Sequence, residues 1–274
     1  MKNWMIALLA GYVLLLAACA GLTGAAPAPK REAAAEYEEP VYQFEETTAQ
    51  EEYPADGNAV AARYSCRLLM LTVPNLESLS PEDEEIAEQN MENFNSKMHS
   101  LMINAVDTGQ TIMTGLAEGV DSAAEAYYIE TAAGWVRTGQ VVSVRVDNVS
   151  YTGGAHPNRY ADSYLFDLEA GQFIDPLQLA DDPEAFRTGA AALLLEKAEE
   201  HPVFDSFWQD YPELIARWNE GTVLLDDQGI EVVYSPYAIA PYAMGDVELL
   251  LTWEELSPLL GPGGMERLGR TSDS

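Results

Sequence analysis

Three histidines, His99, His156 and His201, are the side chains here best suited to proton transfer or metal binding, and they lie far apart in the chain. None belongs to an HExxH or a paired Cys/His spacing, so no zinc site is read from them. Gly153-Gly154 is not followed by a GxGxxG pattern, and neither a P-loop nor a G-x-S-x-G elbow occurs. Asp181-Asp182 and Asp226-Asp227 lack calcium-loop spacing and read as a helix cap and a turn. Paired carboxylates for glycoside cleavage are uninformative in a chain with 45 acidic residues. Two segments remain. Tyr151-Thr152-Gly153-Gly154-Ala155-His156-Pro157-Asn158 ends a strand with two glycines able to take positive φ, which brings backbone close to a neighbour. The stretch from Tyr234 to Gly245 is aromatic, proline-braced and uncharged in an acidic chain. Proline fixes φ and lowers the entropy cost of ordering a loop, and tyrosines on a stiff loop offer large contact area. Tyr151, Gly153, Gly154, His156, Tyr237 and Tyr242 are therefore the candidate ligand-binding residues. No residue is assigned a catalytic or metal-binding role, and no cofactor is expected. The competing reading has the aromatics plug the end of a sheet and His156 hydrogen-bond to a neighbouring loop.

The elements that position these segments alternate between strands and helices. Arg63 to Val73 is β-like, and Cys66 falls on its apolar face with Tyr64, Leu68 and Met70, as a small buried residue. Ser80-Pro81-Glu82-Asp83 offers an N-cap hydroxyl, proline in the first turn and acids beside the helix dipole. A helix is expected from there to about Val106, with Ile86, Phe94, Met98, Leu101, Met102 and Ala105 on its inner stripe. Strands follow at 126–136 and 139–151, where Val142, Val144 and Val146 alternate with Ser143, Arg145 and Asp147. Ser163 to Glu169 and Phe173-Ile174 flank a turn at Ala170-Gly171. Asp182-Pro183-Glu184 caps a helix with Phe186, Ala190, Leu193 and Leu194 inside, ended by His201-Pro202. A short helix over 213–218, strands at 230–235 and 246–252, and a terminal helix at 254–260 complete the pattern. The mixed order, without repeated βαβ units, predicts an α+β fold with a mostly antiparallel sheet packed by helices.

Ahead of this unit, the apolar run ending in Leu16-Ala17-Ala18-Cys19 resembles a bacterial lipoprotein signal, with Lys2 as its positive start. It is short for a membrane span. The resemblance implies that residues 1–18 are removed and that Cys19 carries diacylglycerol and an acyl chain such as palmitate, which together anchor the chain stably to a bacterial membrane, outside the cytoplasm. Cys66 then has no partner, and no disulfide framework holds the fold. Residues 19–58 read as a disordered acidic tether, because Glu32, Glu36, Glu38, Glu39, Glu45, Glu46, Glu51 and Glu52 face only Lys30 and Arg31. Such a chain spans roughly 35 Å. From residue 59 on, hydrophobic content of 47% over the whole chain, together with Trp135, Trp208, Trp218 and Trp253, indicates a packed interior. The net charge of -31 repels nucleic acid, which is excluded as a partner, and favours encounters with basic proteins.

The two aromatic segments also carry a family resemblance. A strand ending in Tyr-Thr-Gly-Gly-Ala-His, a helical middle, then Tyr-x-Ile-Ala-Pro-Tyr-Ala-x-Gly before a final strand and helix is similar to the extracytoplasmic C-terminal domain of RsiV-type lysozyme-sensing anti-sigma factors. It is also similar to the noncatalytic part of PdaC-type peptidoglycan deacetylases. The resemblance covers residues 139–262, and residues 59–138, with Val73-Pro74 before a helix containing Asn93 and Asn95, resemble the partner domain that precedes it; residues 263–274 read as a flexible tail. A sigma-binding segment and a metal-dependent deacetylase domain are both missing from the pattern. What the resemblance implies is a non-enzymatic, membrane-anchored envelope protein that binds a basic, lysozyme-like protein or a cell-wall component. A cell-wall hydrolase or esterase using His156 with a nearby acid, and a structural envelope lipoprotein, are the alternatives.

Overall fold

The computed structural model describes residues 37–54, 60–117 and 127–270. The signal segment, Cys19, the first part of the tether and residues 271–274 lie outside them. The order is β1 (Gln43–Pro54), β2 (Val60–Thr72), α1 (Pro81–Ala117), β3 (Tyr127–Thr138), β4 (Val141–Tyr151), β5 (Asn158–Asp167), β6 (Gln172–Ile174), α2 (Pro183–Glu200), α3 (Tyr211–Ile215), β7 (Thr222–Leu225), β8 (Gly229–Tyr234), β9 (Val247–Thr252) and α4 (Trp253–Arg267). Strands β1 to β6 form one sheet in chain order, and β7 to β9 form a second. All neighbours are antiparallel except β2 and β3, which the α1 crossover makes parallel. The fold is α+β, with a large, mostly antiparallel sheet. That sheet runs without a break across Gly139, because β3 and β4 on either side of it form a hairpin.

The alternation along β4 builds two interiors. Val142, Val144 and Val146 face α1 and pack with Leu68, Phe94, Met98 and Phe166. Val141, on the opposite face, joins a second cluster with Leu165 of β5, Trp218 just before β7, and Phe186, Leu194, Val232, Leu249 and Leu256 from α2, α4 and the small sheet. Phe94 is the hub of the first, with ring centroids 5.3 Å from Phe44, 5.4 Å from Phe166 and 5.8 Å from Phe173.

Helix α1 runs eleven residues past its expected end at Val106, through Gly109 and Gly115, to Ala117. Gly109 is there because the Tyr64 ring lies against it: a Cβ would meet Tyr64 Cγ at 2.7 Å. Of the expected stripe, Phe94 and Met98 are buried and Leu101, Met102 and Ala105 pack against the same cluster. Ala87, Asn90, Phe94, Met98 and Met113 are buried, whereas Ile86 is exposed. Asn90 is a polar residue on the inner face, and its Nδ2 donates to Tyr42 Oη and the Leu168 carbonyl, both at 2.7 Å. Asn95 pairs twice with the Leu71 backbone, at 2.7 and 3.0 Å. Amides thus dock α1 beside its apolar side chains.

Other expectations are corrected. The acidic stretch read as tether to Asn58 contributes Gln43–Pro54 as the edge strand β1, because Phe44 packs on Phe94 and Trp135 while Glu45, Glu46, Glu51 and Glu52 stay in water. The tail begins later than expected. At Gly261 (φ 74°) the chain turns, and α4 resumes to Arg267, held by Arg267 against the buried Asp167 at 3.3 Å and by Leu268 in the core. Strand β7 was missed, and β5 starts at Asn158 rather than Ser163. Trp218 and Trp253 are buried, but Trp135 and Trp208 are exposed.

Two glycines in one helix test this packing. Gly109→Ala should lower stability by up to about 2 kcal/mol, because overpacking costs about 1–3 kcal/mol against a gain in helix propensity of about 1 kcal/mol. Gly115→Ala, whose Cβ would meet nothing within 4 Å, should raise it by about 0.5–1 kcal/mol. Urea denaturation of both variants checks the opposite signs.

Candidate functional site

Strand β4 ends in Tyr151, and the loop after it turns on Gly153 (φ 102°) and Gly154 (φ 110°), conformations that favour glycine. Tyr151 Oη donates to the Gly154 carbonyl at 3.2 Å, and its ring lies 6.3 and 6.0 Å from those of Tyr127 and Tyr128. These residues shape the loop that delivers His156. The His156 ring stacks on Tyr242, with centroids 3.7 Å apart and planes 16° apart. Its Nδ1 is 3.0 Å from the Pro157 carbonyl and its Nε2 is 3.2 Å from Tyr237 Oη. In the tautomer with hydrogen on Nδ1, the ring donates to the carbonyl and accepts from the phenol. His156, Tyr237 and Tyr242 thus converge from two loops, and Tyr237 keeps 57% of its surface exposed.

The segment between β8 and β9 is both a plug and a contact surface. Ile239 and Ala240 are buried in the core. The amide of Tyr237 donates to the Ala240 carbonyl at 3.0 Å, and that of Ala238 to the Ser235 carbonyl at 2.9 Å. This tight turn holds Tyr237 at φ 73°, which costs a non-glycine residue roughly 1–2 kcal/mol. Trp208 braces it, donating from its backbone N–H to the Ile239 carbonyl at 2.9 Å and from Nε1 to the Tyr237 carbonyl at 3.4 Å. Arg159 Nη2, at the start of β5, reaches Asp246 Oδ2, just after the loop, at 2.8 Å. Trp208, Arg159 and Asp246 were not singled out in the sequence. Asp246 directly after Gly245, and Arg159 three residues after His156, were the only local hints.

What this arrangement can do follows from its partners. Both hydrogen bonds of His156 go to a carbonyl and a phenol, and neither goes to a carboxylate. Cys66 is buried, and burial pushes its thiol up to about 11, which removes it as a nucleophile at neutral pH. Among the described residues no group of three or more His, Cys, Asp and Glu could hold a metal ion, and no helix is long and apolar enough to cross a membrane. Asp226 accepts from the amides of Gln228 and Gly229, and Asp182 caps α2, as turn and cap residues do.

Residues 190–254 match the family model DUF3298, described as a protein of unknown function. The matched segment runs from α2 to the start of α4 and contains Tyr237 and Tyr242 but not Tyr151 to His156. The fold is similar to that of a DUF3298 family member from Bacteroides fragilis, at 16% identity and a TM-score of 0.58, with 86% of this chain and 99% of that one covered. It is also similar to a DUF3298 family protein from Pseudomonas aeruginosa, at 18% identity and a TM-score of 0.50, with 82% and 96% covered. No curated protein matches the chain. At these identities the likeness is one of fold.

Loosening the joint between the loops should show in exchange before it shows in stability. Arg159→Ala should cost no more than about 1 kcal/mol globally, as a half-exposed ion pair does. Hydrogen exchange over 235–246 should nonetheless speed up while the β8 amides stay protected. Unchanged exchange in the loop would contradict the joint.

Proposed function

We propose that this protein is a lipid-anchored, extracytoplasmic binding protein that captures a basic, lysozyme-like protein and catalyses no reaction. The observation that carries the reading is the exposed Tyr237, held at positive φ against His156 and Tyr242. Backbone strain kept at an exposed aromatic needs a use, and a rigid tyrosine presented by a braced loop is a suitable contact anchor. The net charge of -31 supplies the long-range attraction for a basic partner. The resemblance of Tyr151 to His156 and Tyr237 to Gly245 to RsiV-type domains supports the same partner class, and the lipoprotein-like run before Cys19 supports the location.

Calorimetry with hen-type lysozyme tests the partner. Binding should appear at micromolar concentration, weaken with added salt, and fall by about tenfold or more in Tyr237→Ala, as loss of a central aromatic anchor does. Absence of binding at micromolar concentrations in both low and physiological salt would contradict it. Radiolabelled palmitate should enter the wild-type chain in bacteria and not Cys19→Ser; equal labelling would remove the anchor.

A further inference from the structure

We propose that His156 is a positioning residue whose protonation reverses the hydrogen-bonding polarity of the Tyr237 hydroxyl and so releases a basic partner as the pH falls. The inference rests on the reading of Tyr237 as a contact anchor and adds the control of that contact. His156 Nδ1 lies 3.0 Å from the Pro157 carbonyl, and Nε2 lies 3.2 Å from Tyr237 Oη. A carbonyl has no hydrogen to give, so Nδ1 must carry one, and in the neutral ring Nε2 keeps a lone pair. The Tyr237 hydroxyl then directs its hydrogen inward, at Nε2. Its oxygen lone pairs are left for a donor from outside, on a side chain that keeps 57% of its surface exposed.

Protonation changes this arrangement at Nε2. A second ring hydrogen there points at Tyr237 Oη, which must now accept, and the phenol hydrogen turns away from His156 toward the outside. The hydroxyl thus changes from an acceptor to a donor for anything that meets it. Lys and Arg side chains, which a basic partner presents, are donors only. The neutral ring therefore leaves them an acceptor, and the protonated ring replaces it with a hydrogen. The positive charge gained by the ring acts with the same sign, since like charges brought together across a contact oppose binding.

The surrounding contacts keep the two loops in place through the change. Tyr242 stacks on the imidazole, with centroids 3.7 Å and planes 16° apart, and the negative face of an aromatic ring favours the cation. The Nδ1 bond to Pro157 is made in both states. Tyr237 is held by its own turn, through its amide on the Ala240 carbonyl at 3.0 Å, and by Trp208 Nε1 on its carbonyl at 3.4 Å. Of the charged groups on the flanking elements, Arg159 and Asp246 pair with each other at 2.8 Å, and among the described residues no carboxylate bonds the ring. The contact that titrates is the one between Nε2 and the phenol, in the interval of about pH 5 to 8 where histidines change charge.

Nitrogen NMR of the histidine rings tests the switch in the full chain without any partner. At about pH 8 His156 should carry hydrogen on Nδ1 alone. On acidification the Tyr237 Cζ resonance should move with the His156 midpoint in the wild type and stay flat over that interval in His156→Phe. Hydrogen on Nε2 at high pH, or a Tyr237 resonance that ignores the His156 titration, would overturn the switch whether or not lysozyme binds. Calorimetry with hen-type lysozyme at constant ionic strength reads the consequence. From about pH 8 to about pH 5 wild-type affinity should fall about tenfold more than that of His156→Phe, the effect of one hydrogen bond to a charged group. Tyr237→Phe keeps the ring and the titrating histidine and should lose most of that pH dependence; its persistence there would assign the effect to charge alone and overturn the reversal. The thermal transition confirms that each variant is folded, and if His156→Phe is not, Tyr237→Phe carries the comparison. Lysozyme that binds at no pH would remove the partner proposed above, and the two NMR measurements would then decide the switch by themselves.

Discussion

Two serine hydroxyls decide how the sheets of this protein meet. In β7 the amides of Thr222 and Leu224 point one way and those of Val223 and Leu225 the other, and the second pair would be bare edge donors in a three-stranded sheet. Ser163 on β5 and Ser143 on β4 accept from them, and the Thr222 hydroxyl donates back to the Ala161 carbonyl. A buried donor left without a partner costs about 1–3 kcal/mol, so the small sheet has one well-satisfied position on the large one. The segment between β8 and β9 is carried with it to the start of β5. There Ser235 Oγ accepts from the Ala161 amide, Arg159 meets Asp246, and His156 meets Tyr237 and Tyr242.

Much of the fold was legible because it follows short-range rules. The alternation of Val142, Val144 and Val146 marks β4, and Asp182-Pro183 opens α2 with the Asp182 side chain accepting from the Ala185 amide at 3.0 Å. Where reading failed, a polar residue did the work of an apolar one, or the reverse. Glu45, Glu46, Glu51 and Glu52 belong to a strand whose edge they protect from pairing with other chains. Asn90 lies on the buried face of α1. Gly109 looks like a breaker until Tyr64 is placed beside it. The four-residue β7 has too few residues for a periodic signal, and its partners lie some sixty and eighty positions away.

The candidate site was legible in its parts and not in its joints. Tyr237, Tyr242 and His156 were visible as unusual residue types in stiff or glycine-rich loops, and the structure brings them together. Arg159, Asp246 and Trp208 hold the loops, and ordinary charged and aromatic residues give no sign of that role in a chain with 45 acids and 14 basic residues.

Native-state hydrogen exchange at Val223 and Leu225 tests the serine joint most directly. If Ser143 and Ser163 bind the two sheets into one cooperative unit, both amides should exchange only through global unfolding, with the same free energy as the amides of Val144 and Phe166 in the core. Exchange through a low-energy local opening, with β7 releasing while β4 and β5 stay protected, would contradict it.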